Sequence, residues 1–131
     1  MRKTQKFFIC KHCGSLLGLI DDKGVPMLCC GENMTELIPN TVEASTEKHL
    51  PVIKPDDSRY GICVQVGSEP HPMEEDHHIS FIYVETIYGG QRKYLEVDGD
   101  PEISFVFTTD SPLAVYAYCN LHGLWKTEIK Q

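Results

Sequence analysis

The feature that most constrains this chain is its set of six cysteines, four of which fall within 21 consecutive residues. They lie at positions 10, 13, 29, 30, 63 and 119 of 131 residues. In Cys10-Lys-His-Cys13-Gly14, two intervening residues let both sulfurs face one ion, and the glycine permits a tight turn. Cys29-Cys30-Gly31 follows after 15 intervening residues. Four converging thiolates form a tetrahedral site that suits zinc or a single iron.

The adjacent pair Cys29-Cys30 departs from the usual zinc ribbon, which has two separated knuckles. Neighbouring residues must splay to offer both sulfurs to one ion, and this distortion favours iron over structural zinc. The segment 1–38 is also too short to build a stable core from apolar burial alone, so we expect a bound metal to stabilise its fold.

Charge divides the chain into two parts. Residues 1–40 hold five basic and four acidic side chains, whereas residues 41–131 hold seven and fifteen, and the whole chain carries −7. This acidic balance argues against a nucleic-acid binder, which needs a basic face. We therefore expect a cysteine module at 1–38 and a second domain at 39–131. Within the latter, 39–55 lacks periodicity and is expected to be a linker and loop around His49.

The rest of the pattern is almost entirely β, with no helical period of ten residues. Gly89-Gly90 is a strong hairpin signal between two predicted strands. Short strands at this spacing indicate an antiparallel sandwich or barrel. The predicted strands are 6–9, 16–20, 25–28, 60–66, 79–88, 91–97, 103–108, 113–119 and 125–129.

A second candidate metal group lies in the acidic domain, where histidines accompany Cys119. They stand at the ends of strands or in irregular stretches, which is where a rigid β scaffold displays functional groups. Four imidazoles with one thiolate exceed the four ligands of structural zinc and suit a five-coordinate iron with one open position. The candidates are His49, His71, His77, His78 and His122.

Over nearly its whole length the sequence resembles the two-iron superoxide reductases, also called desulfoferrodoxins. The similarity lies in both cysteine motifs and in three further stretches. These are Glu47-Lys48-His49-x-Pro51, His71-Pro72-Met73-Glu74-Glu75-x-His77 and Cys119-Asn-x-His122-Gly123-x-Trp125-Lys126.

This resemblance implies a fold and two cofactors. The fold is mainly β, with a small desulforedoxin-like Fe(Cys)4 module followed by an immunoglobulin-like antiparallel sandwich. The first iron would be held by Cys10, Cys13, Cys29 and Cys30. The second would be held by His49, His71, His77 and His122 with Cys119 as axial ligand. Family spacing selects His77 over its neighbour His78.

The resemblance also implies a reaction, in which superoxide is reduced by one electron to hydrogen peroxide without oxygen release. Lys48 would add positive charge and organise water for proton delivery, and Glu47 would occupy the open position of the oxidised iron. A rubredoxin-like electron donor and a homodimer are the expected partners.

Two other functions remain open from the residues themselves. One is a non-enzymatic iron electron-transfer protein, and the other is a structural zinc module fused to a β-sandwich binding domain. Cys63, within a predicted strand, is expected to be a packed core thiol, and His12 an exposed, inert side chain. The chain start has no apolar core of secretory length and no run approaches a membrane span, so we expect a cytoplasmic protein with no membrane partner.

Overall fold

The computed structural model describes residues 4–56 and 59–130. The basic start at positions 1–3, which the sequence analysis included in the cysteine module, lies outside the described residues. The chain forms two compact units, Met1–Ile38 and Pro39–Gln131. No helix in the described part of the chain has the length and apolarity needed to cross a bilayer.

The first unit is built from five short strands, and the cysteines lie at two of the turns between them. An antiparallel sheet has the order β2-β1-β5, and β3 pairs separately with β4. Phe7 on β1 and Cys10 just after it are the buried hydrophobic residues in the described part of this unit. The strands are β1 (Lys6–Ile9), β2 (Leu16–Leu19), β3 (Leu28–Cys29), β4 (Glu32–Asn33) and β5 (Thr35–Glu36).

The second unit is an antiparallel β-sandwich with one short helix. A three-stranded sheet has the order β10-β7-β6, and a four-stranded sheet has the order β12-β11-β8-β9. The elements are α1 (Thr46–His49), β6 (Pro51–Pro55), β7 (Gly61–Val66), β8 (Ile79–Thr86), β9 (Gly89–Tyr94), β10 (Glu102–Val106), β11 (Pro112–Cys119) and β12 (Gly123–Glu128).

Both sheets contribute alternate residues to one core. Val64 on β7 and Phe105 on β10 meet Ile82 on β8 and Val115 on β11, and all four are fully buried. This is the period-2 pattern of strands with one face turned inward. The predicted fold class, a mainly β chain with a small cysteine module and an immunoglobulin-like sandwich, is confirmed.

The stretch expected to be a linker differs from the prediction, because 39–55 contains both α1 and β6. Pro51 and Pro55 bound β6 and hide its strand pattern, since proline lacks an N–H for a ladder. The strand is nevertheless regular, with Pro51 opposite Val66 and Pro55 opposite Ile62. Prolines are tolerated here because β6 is an edge strand.

The turn of the hairpin between β8 and β9 lies two residues before the predicted Gly89-Gly90. It is at Ile87 and Tyr88, which are exposed, and Gly89 already pairs with Thr86. Gly90 lies within β9, where a Cβ atom would collide with the phenol of Tyr83. The glycine therefore marks close packing across the sheet rather than the turn.

Two smaller expectations also change. The predicted strand 25–28 is wrong, since only Leu28–Cys29 forms a strand there. Cys63 is not a core thiol: it is half-buried on the outer side of β7, whereas its neighbour Val64 points into the core. Glu102 and Ser104 hydrogen-bond to Cys63, and its pKa is raised chiefly by burial.

Candidate metal centres

The four cysteines of the first unit converge, with all their sulfur atoms within 4.8 Å of one another. Cys10 follows β1 and is buried, and Cys13 lies in the turn before β2. Cys29 ends β3 and Cys30 begins the turn to β4, so two turns supply the four sulfurs. The sequence motifs therefore meet in space as one group.

The backbone of the second turn explains how adjacent cysteines share a site. Cys30 has a φ of 52° and Gly31 a φ of 78°, both in the left-handed region. The chain therefore turns directly after Cys29, and Cys29 Sγ and Cys30 Sγ lie 3.9 Å apart. A non-glycine residue at positive φ costs free energy and is characteristic of functional sites.

Sulfur spacing tests whether a metal fits. Cys13 Sγ and Cys29 Sγ are 3.6 Å apart. A tetrahedral ion with metal–sulfur bonds of about 2.3 Å places its ligands about 3.8 Å apart. The observed spacings of 3.6 and 3.9 Å match that edge length. The group fits one tetrahedral thiophilic ion.

Ionisation of these thiols leads to the same conclusion. The Ser15 hydroxyl and amide, 3.1 and 3.5 Å from Cys13 Sγ, lower the Cys13 pKa to about 6. Neighbouring Cys10 and Cys13 raise the pKa of Cys29 to about 12. Ionising all four thiols at neutral pH is therefore unfavourable without a metal, and a bound cation stabilises the four thiolates.

In the second unit, a histidine–cysteine group is assembled from three separate segments. His49 ends α1, His71 and His77 lie in the loop before β8, and Cys119 and His122 bracket the turn from β11 to β12. The ligand atoms of His49, His77, Cys119 and His122 lie within 4.8 Å of one another. His71 joins them through its Nε2, which is 3.3 Å from His49 Nε2.

Hydrogen bonds fix the tautomers of the two buried imidazoles. His49 Nδ1 lies 2.6 Å from the carbonyl oxygen of Ser45, and His71 Nδ1 lies 2.7 Å from that of Pro72. A carbonyl only accepts, so each Nδ1 carries the proton and each Nε2 presents a lone pair. Two lone pairs then face each other across 3.3 Å, an arrangement that a cation between them relieves.

The remaining donors fit the same ion. Nε2 of His77 is buried with no hydrogen-bond partner among the described residues. His122 Nδ1 lies 3.1 Å from His49 Nε2 and 3.8 Å from Cys119 Sγ. Buried polar atoms are nearly always satisfied, so the orphaned imidazole nitrogen indicates a missing metal bond.

Burial keeps His49 and His71 neutral before any metal binds. It lowers the pKa of His71 to about 4 and also lowers that of His49, because desolvation disfavours the imidazolium ion. Neutral imidazoles are the form that binds metals. The site is therefore preorganised for a cation.

The thiol of Cys119 is fully buried at the end of β11. Burial raises its pKa, while the amides of Leu121 and His122 act in the opposite direction. The His122 amide donates to Cys119 Sγ across 3.4 Å. These amides orient the sulfur and stabilise the thiolate that a metal ligand requires.

An indole ring forms one wall of the site. Trp125 on β12 stacks on His49, with ring centroids 4.9 Å apart and planes 26° apart. Its Nε1 donates to the carbonyl of His122 across 3.1 Å, so one side chain contacts two members of the group. The sequence analysis assigned no role to Trp125, or to the carbonyls of Ser45 and Pro72. Backbone acceptors leave no signal in residue type.

Other candidate residues lie outside the two groups. Glu47 and Lys48 are exposed on α1, directly before His49. His78 follows His77 but lies outside the group, with its Nδ1 2.9 Å from the carbonyl of Glu74. His12 is exposed, as expected, and pairs with Glu32 at 3.0 Å.

Comparisons with known proteins point to one family. A family model described as desulfoferrodoxin matches residues 41–128. A protein named desulfoferrodoxin from Syntrophotalea carbinolica is 42% identical over 130 residues, covering 98% of this chain and 99% of the relative.

Proteins named superoxide reductase are also similar. The crystal structure of the superoxide reductase from Treponema pallidum matches with a TM-score of 0.80 and 35% identity, covering 96% of this chain and 100% of that one. A superoxide reductase from Pyrococcus abyssi is 34% identical over 100 residues, which cover 64% of this chain and 87% of that protein.

Proposed function

Because the chain belongs to the desulfoferrodoxin family, we propose that it is a superoxide reductase. The reaction is O2•− + e− + 2 H+ → H2O2, in which superoxide gains one electron and two protons and no oxygen is released. The similar proteins from Treponema pallidum and Pyrococcus abyssi, which carry the name superoxide reductase, support this activity.

The observation that carries the proposal is the donor set of the second unit. The ligand atoms of four imidazoles and one buried thiol lie close together, and two imidazoles have their Nδ1 protons bound to carbonyls. Five donors exceed structural zinc and leave a six-coordinate ion one place for a small anion. A site built only to stabilise the fold needs no such place.

We assign iron to both groups. The first iron would be held by Cys10, Cys13, Cys29 and Cys30, and the second by His49, His71, His77, His122 and Cys119. Iron at the second site supplies one electron per superoxide and the Lewis acidity that attracts the anion. The family supports this identity, and the sulfur spacing of the first group accommodates iron as well as zinc.

The protein's own groups set the charge and geometry of the second site. Four neutral imidazoles and one thiolate contribute −1, so a divalent ion leaves the centre with a net charge of +1. The Ser45 and Pro72 carbonyls fix the orientation of His49 and His71, and Trp125 stacks on the ring of His49. The protein thus offers a local positive point within an acidic unit.

Lys48 and Glu47 would act at the entrance of the site. Both are exposed and immediately precede His49 on α1. The ammonium group of Lys48 would attract superoxide and hold water that delivers protons. The carboxylate of Glu47 would take the open position in the oxidised state. Ser45 Oγ, 3.1 Å from Glu47 Oε2, gives that carboxylate a resting partner.

The remaining parts of the proposal concern partners and location. The four-cysteine centre would pass electrons to the second centre, and a rubredoxin-like protein would reduce the chain. A homodimer is proposed from the family resemblance. A cytoplasmic location agrees with the six free cysteines, because a reducing compartment keeps thiols unpaired.

A single experiment separates the reductase from a non-enzymatic electron carrier. The iron-loaded, fully reduced protein is mixed with superoxide in a stopped-flow instrument, and both iron chromophores are followed. A reductase is oxidised at the histidine–cysteine centre in a rapid second-order reaction. Reduced centres that persist in the presence of superoxide would favour the carrier, and a colourless protein containing only zinc would exclude both.

A further inference from the structure

His77 is held differently from the other histidines of the group. It lies in the loop before β8, and its Nε2 is the atom left without a partner among the described residues. Within this loop, Glu74 and His77 exchange two backbone hydrogen bonds of 2.9 and 3.2 Å. These bonds shape the loop, but they do not connect it to the strand that bears Cys119.

Asn120 makes that connection with three hydrogen bonds. Its side-chain amide donates to the carbonyl of Asp76 across 3.0 Å and accepts from the amide of His78 across 2.8 Å. Its own backbone N–H donates to the carbonyl of His78 across 3.2 Å. The residues on both sides of His77 are therefore bound to one residue.

Regular pairing of the sheet ends just before this loop. Pairing of β8 with β11 shifts register between Tyr118 and Cys119, so that Tyr118 opposes Phe81 but Cys119 opposes Ile79. Such an irregularity re-aims side chains and interrupts a ladder. Asn120 continues the contact between the two segments beyond the point where regular pairing fails.

We propose that Asn120 is a positioning residue that sets the place of His77 Nε2 relative to Cys119 Sγ and His122 Nδ1. Asn120 stands directly after Cys119 and two residues before His122. A movement of the loop relative to Asn120 therefore moves His77 relative to both of these ligands. The inference rests on the proposed function only in that the histidine–cysteine group holds a metal.

The side-chain chemistry explains why an amide is required. The position needs a donor toward Asp76 and an acceptor toward His78 within one short side chain. Asparagine provides both, aspartate keeps only the acceptor, and alanine keeps neither. Asparagine, aspartate and alanine can therefore make two, one and none of these hydrogen bonds. Asparagine and aspartate also have nearly the same size.

The test compares wild type, Asn120→Ala and Asn120→Asp as full-length proteins with metal removed and then titrated with Co2+ against a competing chelator. We expect Asn120→Ala to weaken Co2+ binding at the histidine–cysteine group by about 10- to 100-fold, the range for residues that support metal ligands. Its ligand-field bands should also shift. The Co2+ affinity of Asn120→Asp should lie between those of wild type and Asn120→Ala. The four-cysteine group provides an internal standard, with unchanged bands in every variant.

Asn40 offers a matched control. Its side-chain amide makes the same pair of bonds with Lys126, accepting from the amide across 2.8 Å and donating to the carbonyl across 3.1 Å. Its φ of 64° adds strain when alanine replaces it. Asn40→Ala should therefore lose at least as much stability as Asn120→Ala while leaving Co2+ affinity and bands unchanged.

The outcomes distinguish failure of the proposed function from failure of the proposed role of Asn120. A wild-type protein that binds no Co2+ at the histidine–cysteine group contradicts the proposed function. A wild type that binds it, with Asn120→Ala showing equal affinity and an equal spectrum, contradicts the role of Asn120. Should Asn120→Ala not fold, Asn120→Asp decides by the same comparison. Equal spectral changes in Asn40→Ala would show a general loosening and also overturn the inference.

Discussion

At the scale of single residues, the second site is defined by imidazole nitrogens that backbone hydrogen bonds leave facing inward. Ser45 and Pro72 take up the Nδ1 protons of His49 and His71, so both Nε2 lone pairs point inward. His77 Nε2 has no partner among the described residues. The contact between His49 Nε2 and His71 Nε2 has no proton to share, which distinguishes a ligand set from a cluster of histidines that only hydrogen-bond to one another.

Replacing Cys119 by serine tests the thiolate. We expect Cys119→Ser to lose the thiolate-to-iron charge-transfer band and to lower the rate with superoxide by more than about 100-fold, beyond the effect of a supporting residue. Absorption spectra and stopped-flow rates are the measurements. Cys63→Ser is the matched control, since this thiol belongs to neither group, and it should leave both unchanged. Retention of band and rate in Cys119→Ser would show that the sulfur is not a ligand.

The low pKa of His71 predicts how stability depends on pH in the metal-free protein. Its pKa is about 4 in the folded state, and an unfolded histidine titrates near 6.5. The unfolded chain therefore binds more protons between these values, so stability is complete above about pH 6.5 and declines as the pH falls toward 4. The loss is on the order of a few kcal/mol.

Urea unfolding between pH 4 and 7 measures this dependence. His71→Asn should flatten the decline, whereas His78→Gln removes a neighbouring imidazole outside the group and should leave it in place. A stability of the wild type that stays constant across this range would mean that His71 is not buried in its neutral form.

At the scale of elements, short contacts between backbones hold α1, and with it His49, against the sandwich. The amide of Gly67, after β7, donates to the carbonyl of Leu50 across 2.9 Å, and the amide of Glu69 donates to that of Glu47 across 3.0 Å. Four helical residues would not be stable alone. These contacts therefore determine where the helix presents His49.

Gly67→Ala tests that arrangement. Gly67 has a φ of 84°, and an added Cβ would collide with the carbonyl oxygen of Glu69 and lie 2.7 Å from that of Lys48. We expect a loss of roughly 1–3 kcal/mol of stability and weaker metal binding at the second group. Gly123→Ala has a similar φ of 81° and meets only a Val42 methyl at 3.4 Å, so it should cost less. Equal losses in urea unfolding would mean that backbone strain, not the collision, is responsible.

The elements also show what sequence patterns can and cannot predict. Alternation correctly indicated the core strands, because Val64 and Val66 face inward with a period of two. It missed β6, where proline replaces the usual strand residues at an edge that needs no N–H. Gly90 suggested a turn, although the glycine is required by Tyr83 across the sheet. Such requirements arise from residues distant in sequence and cannot be read locally.

The two metal sites also differ in how far local sequence predicts them. Cysteine spacing alone indicated the first group, since its ligands are close in sequence. The second group comes from segments up to 73 residues apart, as between His49 and His122, and resemblance to a family was needed to select its members. The roles of Asn120 and Trp125 depend on hydrogen bonds and stacking that only the folded chain brings about.

At the scale of the whole molecule, a net charge of −7 opposes an anionic substrate at long range. We therefore expect attraction to be local, at the proposed metal centre and at Lys48. Beyond the Debye length, which is about 8 Å at physiological ionic strength, the remaining charges are largely screened. We therefore expect superoxide capture to depend on a few charges near the site rather than on the net charge of the chain.

Lys48→Ala should slow superoxide capture several-fold at low ionic strength and weaken its salt dependence, because an exposed positive charge is removed. Second-order rates across a range of salt concentrations measure this effect. Lys54→Ala removes a lysine of the same unit that is already paired with Glu102 at 3.0 Å, and should leave the rates nearly unchanged. Identical rates for Lys48→Ala and wild type at low salt would remove Lys48 from this role.

The stoichiometry of the products tests the central claim most directly. Reduced, iron-loaded protein receives a measured amount of superoxide, with hydrogen peroxide and oxygen quantified together and the spontaneous reaction subtracted. The account predicts one peroxide for each superoxide consumed and no oxygen. Half a peroxide per superoxide, accompanied by oxygen, would indicate dismutation and contradict it.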